Sequence, residues 1–219
     1  MSLFRIHSSI RQQGSVSRAV ADTLESAWRE AHPDSTTTER DLVADPLPGD
    51  LWTTALSAAY APEDQRTPAQ VDAVAQVTAL ADEVLAADAL VVTAPLYNFG
   101  VPQHLKAWID ALILDPRFGP GTTPLTGKQV AIVIARGGGY GEGTPRHGWD
   151  HATPYLTRIF ADVWGADVTV VAAELTLAET NPAMTDLIPL AKQSEAAAHD
   201  LAATTGRTLA QKILATTTA

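Results

Sequence analysis

Apolar residues in this chain fall into two alternating kinds of segment: short, nearly unbroken runs rich in Val and Ile, and longer Ala-rich stretches with a hydrophobic stripe. A short continuous run fits a strand buried on both faces, and apolar positions at i, i+4 and i+8 fit a helix with one buried face. The run Gln129-Val130-Ala131-Ile132-Val133-Ile134-Ala135 is the strongest strand signal and predicts a central place in a sheet. Ala89-Leu90-Val91-Val92-Thr93 predicts a second buried strand, residues 167–172 a third, and the weaker alternation over 3–7 a fourth. The threonine-rich piece 35–40 reads as a polar strand at a sheet edge. Val16, Val20, Leu24 and Trp28 mark the buried stripe of a helix over 15–32 that Pro33 ends. Further helices are predicted over 51–60, within a proline-rich excursion from 45 to 68, then over 69–87, after Pro102, over 153–164 and over 189–214.

Strands alternating with helices predict an α/β protein with a parallel sheet. The chain has 219 residues, enough for one domain with a single core, expected over 1–215, followed by a disordered tail at 216–219. A net charge of -10 has the wrong sign for a protein that binds phosphate backbones, so no nucleic-acid partner is expected. The absence of Cys excludes disulfides, thiolate metal sites and cysteine nucleophiles. No apolar run approaches the roughly 18 residues of a membrane span, and the first residues lack the build of a signal peptide. A cytoplasmic protein without membrane contact is expected.

Ligands of open α/β sheets bind outside the carboxyl ends of the strands, which directs attention to the loops after strands one, three and four. The first reads Ser8-Ser9-Ile10-Arg11-Gln12-Gln13-Gly14-Ser15-Val16-Ser17. The hydroxyls of Ser9, Ser15 and Ser17, with the free amides of a helix start, make a seat for a phosphate; an ordinary Ser cap fits the same residues. The loop lacks both the Walker A lysine and GxGxxG. The loop after strand three projects Tyr97, Asn98 and Phe99 between Pro95 and Pro102, a combination suited to holding a flat heterocycle, although core aromatics are the simpler use of Tyr97 and Phe99.

At this loop the chain resembles the family of FMN-dependent NADH:quinone oxidoreductases and azobenzene reductases. That family carries a Pro-Met-Tyr-Asn-Phe-Gly-Ile-Pro signature running into Leu-Lys-x-Trp-Ile-Asp. Here it reads Pro95-Leu96-Tyr97-Asn98-Phe99-Gly100-Val101-Pro102, then Leu105-Lys106-Ala107-Trp108-Ile109-Asp110. The likeness extends to the serine loop and to Leu125-Thr126-Gly127-Lys128. It implies a flavodoxin-like, doubly wound five-stranded sheet of order 2-1-3-4-5 with FMN at the switch point. It further implies that Ser9, Ser15, Val16 and Ser17 hold the FMN phosphate, that Leu96, Tyr97, Asn98 and Phe99 line the ring, and that Ala135, Arg136, Gly137 and Gly138 contact its pyrimidine end. Where the family often has Ser-Arg-Gly-Gly, this chain has Ala135-Arg136-Gly137-Gly138 and lacks one hydroxyl.

The activity so implied passes electrons from NADH or NADPH to a quinone or azo acceptor by ping-pong hydride transfer, in a homodimer, with no side chain as obligatory acid or base. Phe118 is expected in the substrate wall. A flavodoxin-type electron carrier and a pathway-specific flavoenzyme acting on one aromatic substrate fit the same fold. The glycine run 137–143 follows a late strand and reads as loop rather than a dinucleotide fingerprint. His147 and His151 copy the spacing of a zinc helix but lack its Glu, so no metal is expected; His7 and His104 read as surface or loop histidines rather than acid–base catalysts.

Overall fold

In the computed structural model, which describes residues 1–217, one parallel sheet has the order β2-β1-β3-β4-β5. The strands are β1 (Ser2–His7), β2 (Thr36–Asp41), β3 (Ala89–Pro95), β4 (Gln129–Ala135) and β5 (Asp167–Ala173). The helices are α1 (Val16–Ala31), α2 (Leu51–Ala59), α3 (Pro68–Ala86), α4 (Gln103–Leu112), α5 (Ala152–Thr157) and α6 (Ile188–Thr217). The chain leaves β1 outward to β2 and returns across it to β3, so the loops after β1 and β3 diverge and open a crevice between them.

The two-residue period of the strands sorts side chains between two layers. Leu3, Val91, Ala131, Val133 and Val171 face α1 and α6; Phe4, Ile6, Leu90, Val92, Ile132 and Ile134 face the layer built by α2 to α5. β1 breaks the apolar pattern on its α1 side, where Arg5 and His7 point inward. Arg5, almost wholly buried, is paired with Asp22 at 2.6 Å, with Glu39 at 3.3 Å and with Glu25. Such a cation is tolerated inside because carboxylates from α1 and β2 surround it.

Three expectations are corrected. The predicted helix over 153–164 is α-helical only to Thr157 and continues as a π-helical stretch, Arg158–Val163, in which Trp164 N–H reaches the carbonyl of Ile159 at 2.9 Å. This wider turn accompanies an edge-to-face stack of Phe160 and Trp164, centroids 5.0 Å apart. Phe118 belongs to that stack, 5.2 Å from Trp164 and fully buried, and therefore cannot form a substrate wall. At the carboxyl end, α6 runs through Thr217, so the first two residues of the expected tail are helical; Thr218 and Ala219 lie outside the described residues.

α6 crosses α1 at Gly206, where an added Cβ would sit 2.2 Å from the carbonyl oxygen of Leu24 and 3.1 Å from Cβ of Ala27. Ala in place of a helical Gly normally stabilises by about 1 kcal/mol. Here the backbone contact reverses the sign, and Gly206→Ala is expected to destabilise by roughly 1 to 3 kcal/mol as an overpacking change. Urea unfolding checks this; a variant as stable as the parent would mean that the helices separate without penalty.

Candidate functional site

Ser8 to Ser17 connect the buried end of β1 to the start of α1. Ser8 Oγ donates to the Thr93 carbonyl of β3 at 2.6 Å, fastening the loop to the neighbouring strand. Ser9, Ser15 and Ser17 are all buried, and their hydroxyls converge: Ser15 Oγ lies 2.9 Å from Ser9 Oγ and 3.3 Å from Ser17 Oγ. Ser15 also caps α1, accepting from the Arg18 N–H. By position, the N–H groups of Val16 and Ser17 have no intrahelical acceptor. Three hydroxyls and two free amides at a positive helix end suit a phosphate, whose several acceptor oxygens each take more than one donor. Arg18 is not aimed into this seat: its guanidinium donates to the Ser9 carbonyl at 3.2 Å and to Asp41 at 2.8 Å, holding the loop from behind.

The loop after β3 supplies the next wall. The Leu96 N–H continues the sheet by bonding the Ala135 carbonyl at 2.8 Å. Residues 97–100 then form a tight turn, with Gly100 N–H to Tyr97 carbonyl at 2.9 Å and positive φ at Asn98 (49°) and Phe99 (66°). Asn tolerates the left-handed region, whereas Phe there is strained by about 1 kcal/mol or more. The strain is met by contacts: the Phe99 carbonyl accepts the His151 N–H at 2.9 Å, and its ring packs edge-on against Trp149 and Tyr140. The turn carries the Tyr97 hydroxyl back to the serine loop, 3.5 Å from Ser9 Oγ, where it accepts the Ile10 N–H at 3.2 Å.

The loops after β4 and β5 are laced together by Thr176 N–H to the Arg136 carbonyl (3.0 Å) and Leu177 N–H to the Gly137 carbonyl (3.3 Å). The result is one cavity of about 210 Å³ lined by Ser9, Ser15, Val16, Ser17, Leu96, Tyr97, Ala135 and Gly137, together with Arg11, Pro95, Thr176 and Leu177. The last four were missed by the sequence reading. Thr176 and Leu177 lie just past β5, the strand end to which the carboxyl-end rule was not applied.

Other expected residues go elsewhere. Asn98 lines a neighbouring recess of about 500 Å³ with Ile10, Tyr97 and His104. Phe99 belongs to the outer aromatic group described above. Gly138 lies under the side chains of Arg146 and Tyr140. The Arg136 guanidinium turns away from the cavity, to Asp150 at 2.8 Å and Glu174 at 2.7 Å. Burial opposes ionisation of Asp150, but hydrogen bonds from Thr153 and the Arg136 charge hold its carboxyl below the usual range.

Directly beneath the serine loop, His7 is buried with Nδ1 3.4 Å from Thr93 Oγ1 and Nε2 3.8 Å from Glu39. Burial, reinforced by the charges of Arg5 and Arg18, pushes its pKa down to about 4, so the ring is neutral at pH 7.

This architecture, a doubly wound sheet with a hydroxyl-lined anion seat at its switch point, is that of the flavodoxin-like class, and residues 1–201 match the flavodoxin-like fold family Flavodoxin_2. A relative from Frankia alni, an FMN-dependent NADH:quinone oxidoreductase, is 42% identical, with 90% of this chain and 94% of that protein covered. One from Streptomyces avermitilis, of the same name, is 40% identical over 98% of this chain and 99% of its own. The chain belongs to the family of FMN-dependent NADH:quinone oxidoreductases. Among solved structures, an azoreductase from Bacillus anthracis superposes with a TM-score of 0.77 at 24% identity, covering 95% of this chain and 99% of that one. An FMN-dependent NADH-azoreductase of the same organism, in complex with FMN, superposes at 0.72 and 22% identity, over 92% of this chain and all (100%) of its own. At these identities the structures speak for the fold.

Proposed function

We propose that the protein is an FMN-dependent oxidoreductase that passes two electrons from NADH or NADPH to a quinone, or to an azo compound in two such rounds. For a quinone the balance is one reduced nicotinamide and one proton consumed per hydroquinone formed. The observation that carries this reading is the buried triplet of Ser9, Ser15 and Ser17 hydroxyls opening into an apolar cavity walled by Leu96, Tyr97 and Ala135. The triplet suits the phosphate of FMN, and the walls suit its ring. When bound, FMN supplies a centre able to take a hydride from one molecule and give it to another. The protein's part is to seat the phosphate, present backbone groups of residues 96–97 and 135–137 to the ring edge, and leave one approach for substrates.

The relatives carry this activity in their names, which favours the reading over a pure electron carrier or a pathway-specific flavoenzyme. Two finer statements belong to the same proposal. The chain works as a homodimer, for which the exposed Trp52 and Tyr60 of the α2 segment offer apolar surface; light scattering on the purified protein reads the mass directly. It works in the cytoplasm, where reduced nicotinamides are regenerated; none of the helices among the described residues is long and apolar enough to cross a membrane.

The pigment released by heating the purified protein is expected to be FMN, because the seat takes a terminal phosphate and the serine loop lacks the glycine fingerprint of a dinucleotide site. Recovery of FAD, or of no flavin after reconstitution, would refute the cofactor. With NADH and a quinone, double-reciprocal lines are expected to be parallel, since donor and acceptor use the same approach in turn. Intersecting lines would require a cleft wide enough for both, and a protein that transfers no electrons from NADH or NADPH to any small acceptor would be a carrier.

A further inference from the structure

The chain's fifteen Lys and Arg are outnumbered by twenty-five Asp and Glu, and nearly every cation is engaged. Among the described residues only the side chains of Arg11 and Arg146 have neither a hydrogen bond nor an ion pair. One lines the candidate cavity, and the other stands over the residue that follows its Gly137 wall. Arg11 lines the cavity beside the serine seat. Arg146 stands over the glycine strip that leaves the cavity: a Cβ on Gly138 would lie 3.0 Å from its Nη1. With Arg11 beside the proposed phosphate seat, Arg146 is a second, separate cation.

Arg146 is carried on an arm, residues 139–149, with a fixed root and an open tip. At the root, Arg136 is paired with Asp150 and Glu174, Asp150 accepts the Ala152 and Thr153 N–H groups, and the His151 N–H bonds the Phe99 carbonyl. The tip is held by short internal turns, Thr144 N–H to Gly141, His147 N–H to Thr144 and Trp149 N–H to Arg146. Next to Arg146 the arm shows an aromatic surface: Trp149 is 51% exposed and Phe99 38%, with rings 5.4 Å apart and nearly perpendicular. Large aromatics are usually buried, so two half-exposed ones at a cleft rim mark a contact surface.

From this pairing of an unengaged guanidinium with an open aromatic face, we infer that the arm binds the adenosine diphosphate half of the nicotinamide donor, Arg146 on the diphosphate and Trp149 against the adenine. The inference rests on the reading of a reduced nicotinamide dinucleotide as donor. A quinone is neutral and needs no cation, whereas the donor is an anion approaching a protein of net charge -10 and requires a local positive group. Arginine pairs with diphosphate oxygens through two parallel N–H donors, and a base stacks on any aromatic face. Glu142, exposed on the same arm, works against this field.

The test measures binding of ADP-ribose to the flavin-loaded protein by calorimetry and steady-state KM for NADH, NADPH and N-benzyl-1,4-dihydronicotinamide, which lacks the adenosine diphosphate. Arg146→Gln and Trp149→Ala are each expected to weaken ADP-ribose, and to raise KM for both dinucleotides, by about tenfold, the size of one charged hydrogen bond or one stacked base. Glu142→Gln is expected to shift the same quantities the opposite way. The benzyl donor and FMN affinity are expected to stay unchanged in all three. An equal loss with the benzyl donor would make the arm a structural prop, a loss confined to NADPH would move Arg146 to a 2′-phosphate, and unchanged ADP-ribose binding would remove the arm from donor recognition; each overturns the inference. Failure of NADH to reduce the parent protein would instead refute the proposed function, with ADP-ribose binding still testing the arm.

Discussion

Acidifying the protein from pH 7 to pH 4 is expected to remove about 3 kcal/mol of stability through His7 alone, the free energy of a shift from 6.5 to about 4. His7 is neutral in the fold because it is buried and because Arg5 and Arg18 face it, with Glu39 and Asp41 of β2 and Asp22 of α1 opposing them in part. Its folded pKa lies below the unfolded one, so its contribution is whole above pH 6.5 and is lost as the pH falls toward 4. Glu25, Asp41 and Asp150 are ionised in the fold against the pull of burial, held below the usual range by hydrogen bonds and neighbouring arginines. They also lose their contribution on acidification, but mainly below about pH 5, as unfolded carboxyls protonate. Above that, the loss is chiefly that of His7. Urea midpoints measured between pH 7 and 4.5 should fall in the parent protein and stay much flatter in His7→Gln. An equal slope in that variant would show that the acid sensitivity arises elsewhere.

The same residue shows where sequence reading stopped. β4 was legible to the residue because after Gln129 its side chains are apolar and none of them resists burial. β1 was readable only as a faint alternation, since two of its inward positions are Arg5 and His7, and only the carboxylates of α1 and β2 make them tolerable inside. The convergence of Ser9, Ser15 and Ser17 could be read because the three are local, at a strand end and a helix start. The aromatic arm could not, since Trp149 meets Phe99 across 50 residues of chain through a turn whose strained φ no propensity announces. Arg136 shows what chain order cannot place: it stands in the loop after β4, and Asp150 and Glu174, distant in sequence, claim its guanidinium.

Replacing both Ser15 and Ser17 by Ala is expected to weaken FMN binding by roughly 2 to 4 kcal/mol, some 30-fold to almost 1,000-fold, with each single change contributing about 1 to 2. Both hydroxyls are buried beside Ser9 and have one another as neighbours, so a phosphate entering the seat exchanges weak hydroxyl contacts for charge-assisted ones. Because Ser15 touches both of the others, the two losses are coupled and the double variant need not equal their sum. Ser15 has a second task as the cap of α1, and its removal should lower the stability of the flavin-free protein by about 1 kcal/mol. Ser17 lies inside the helix without that task, so Ser17→Ala isolates the ligand effect. Titrating flavin-free protein with FMN and with riboflavin separates phosphate from ring: the phosphate-free flavin should bind the parent and both variants alike. Equal weakening for the two flavins would mean that the serines shape the loop around the ring, and no weakening for either would leave them as helix caps.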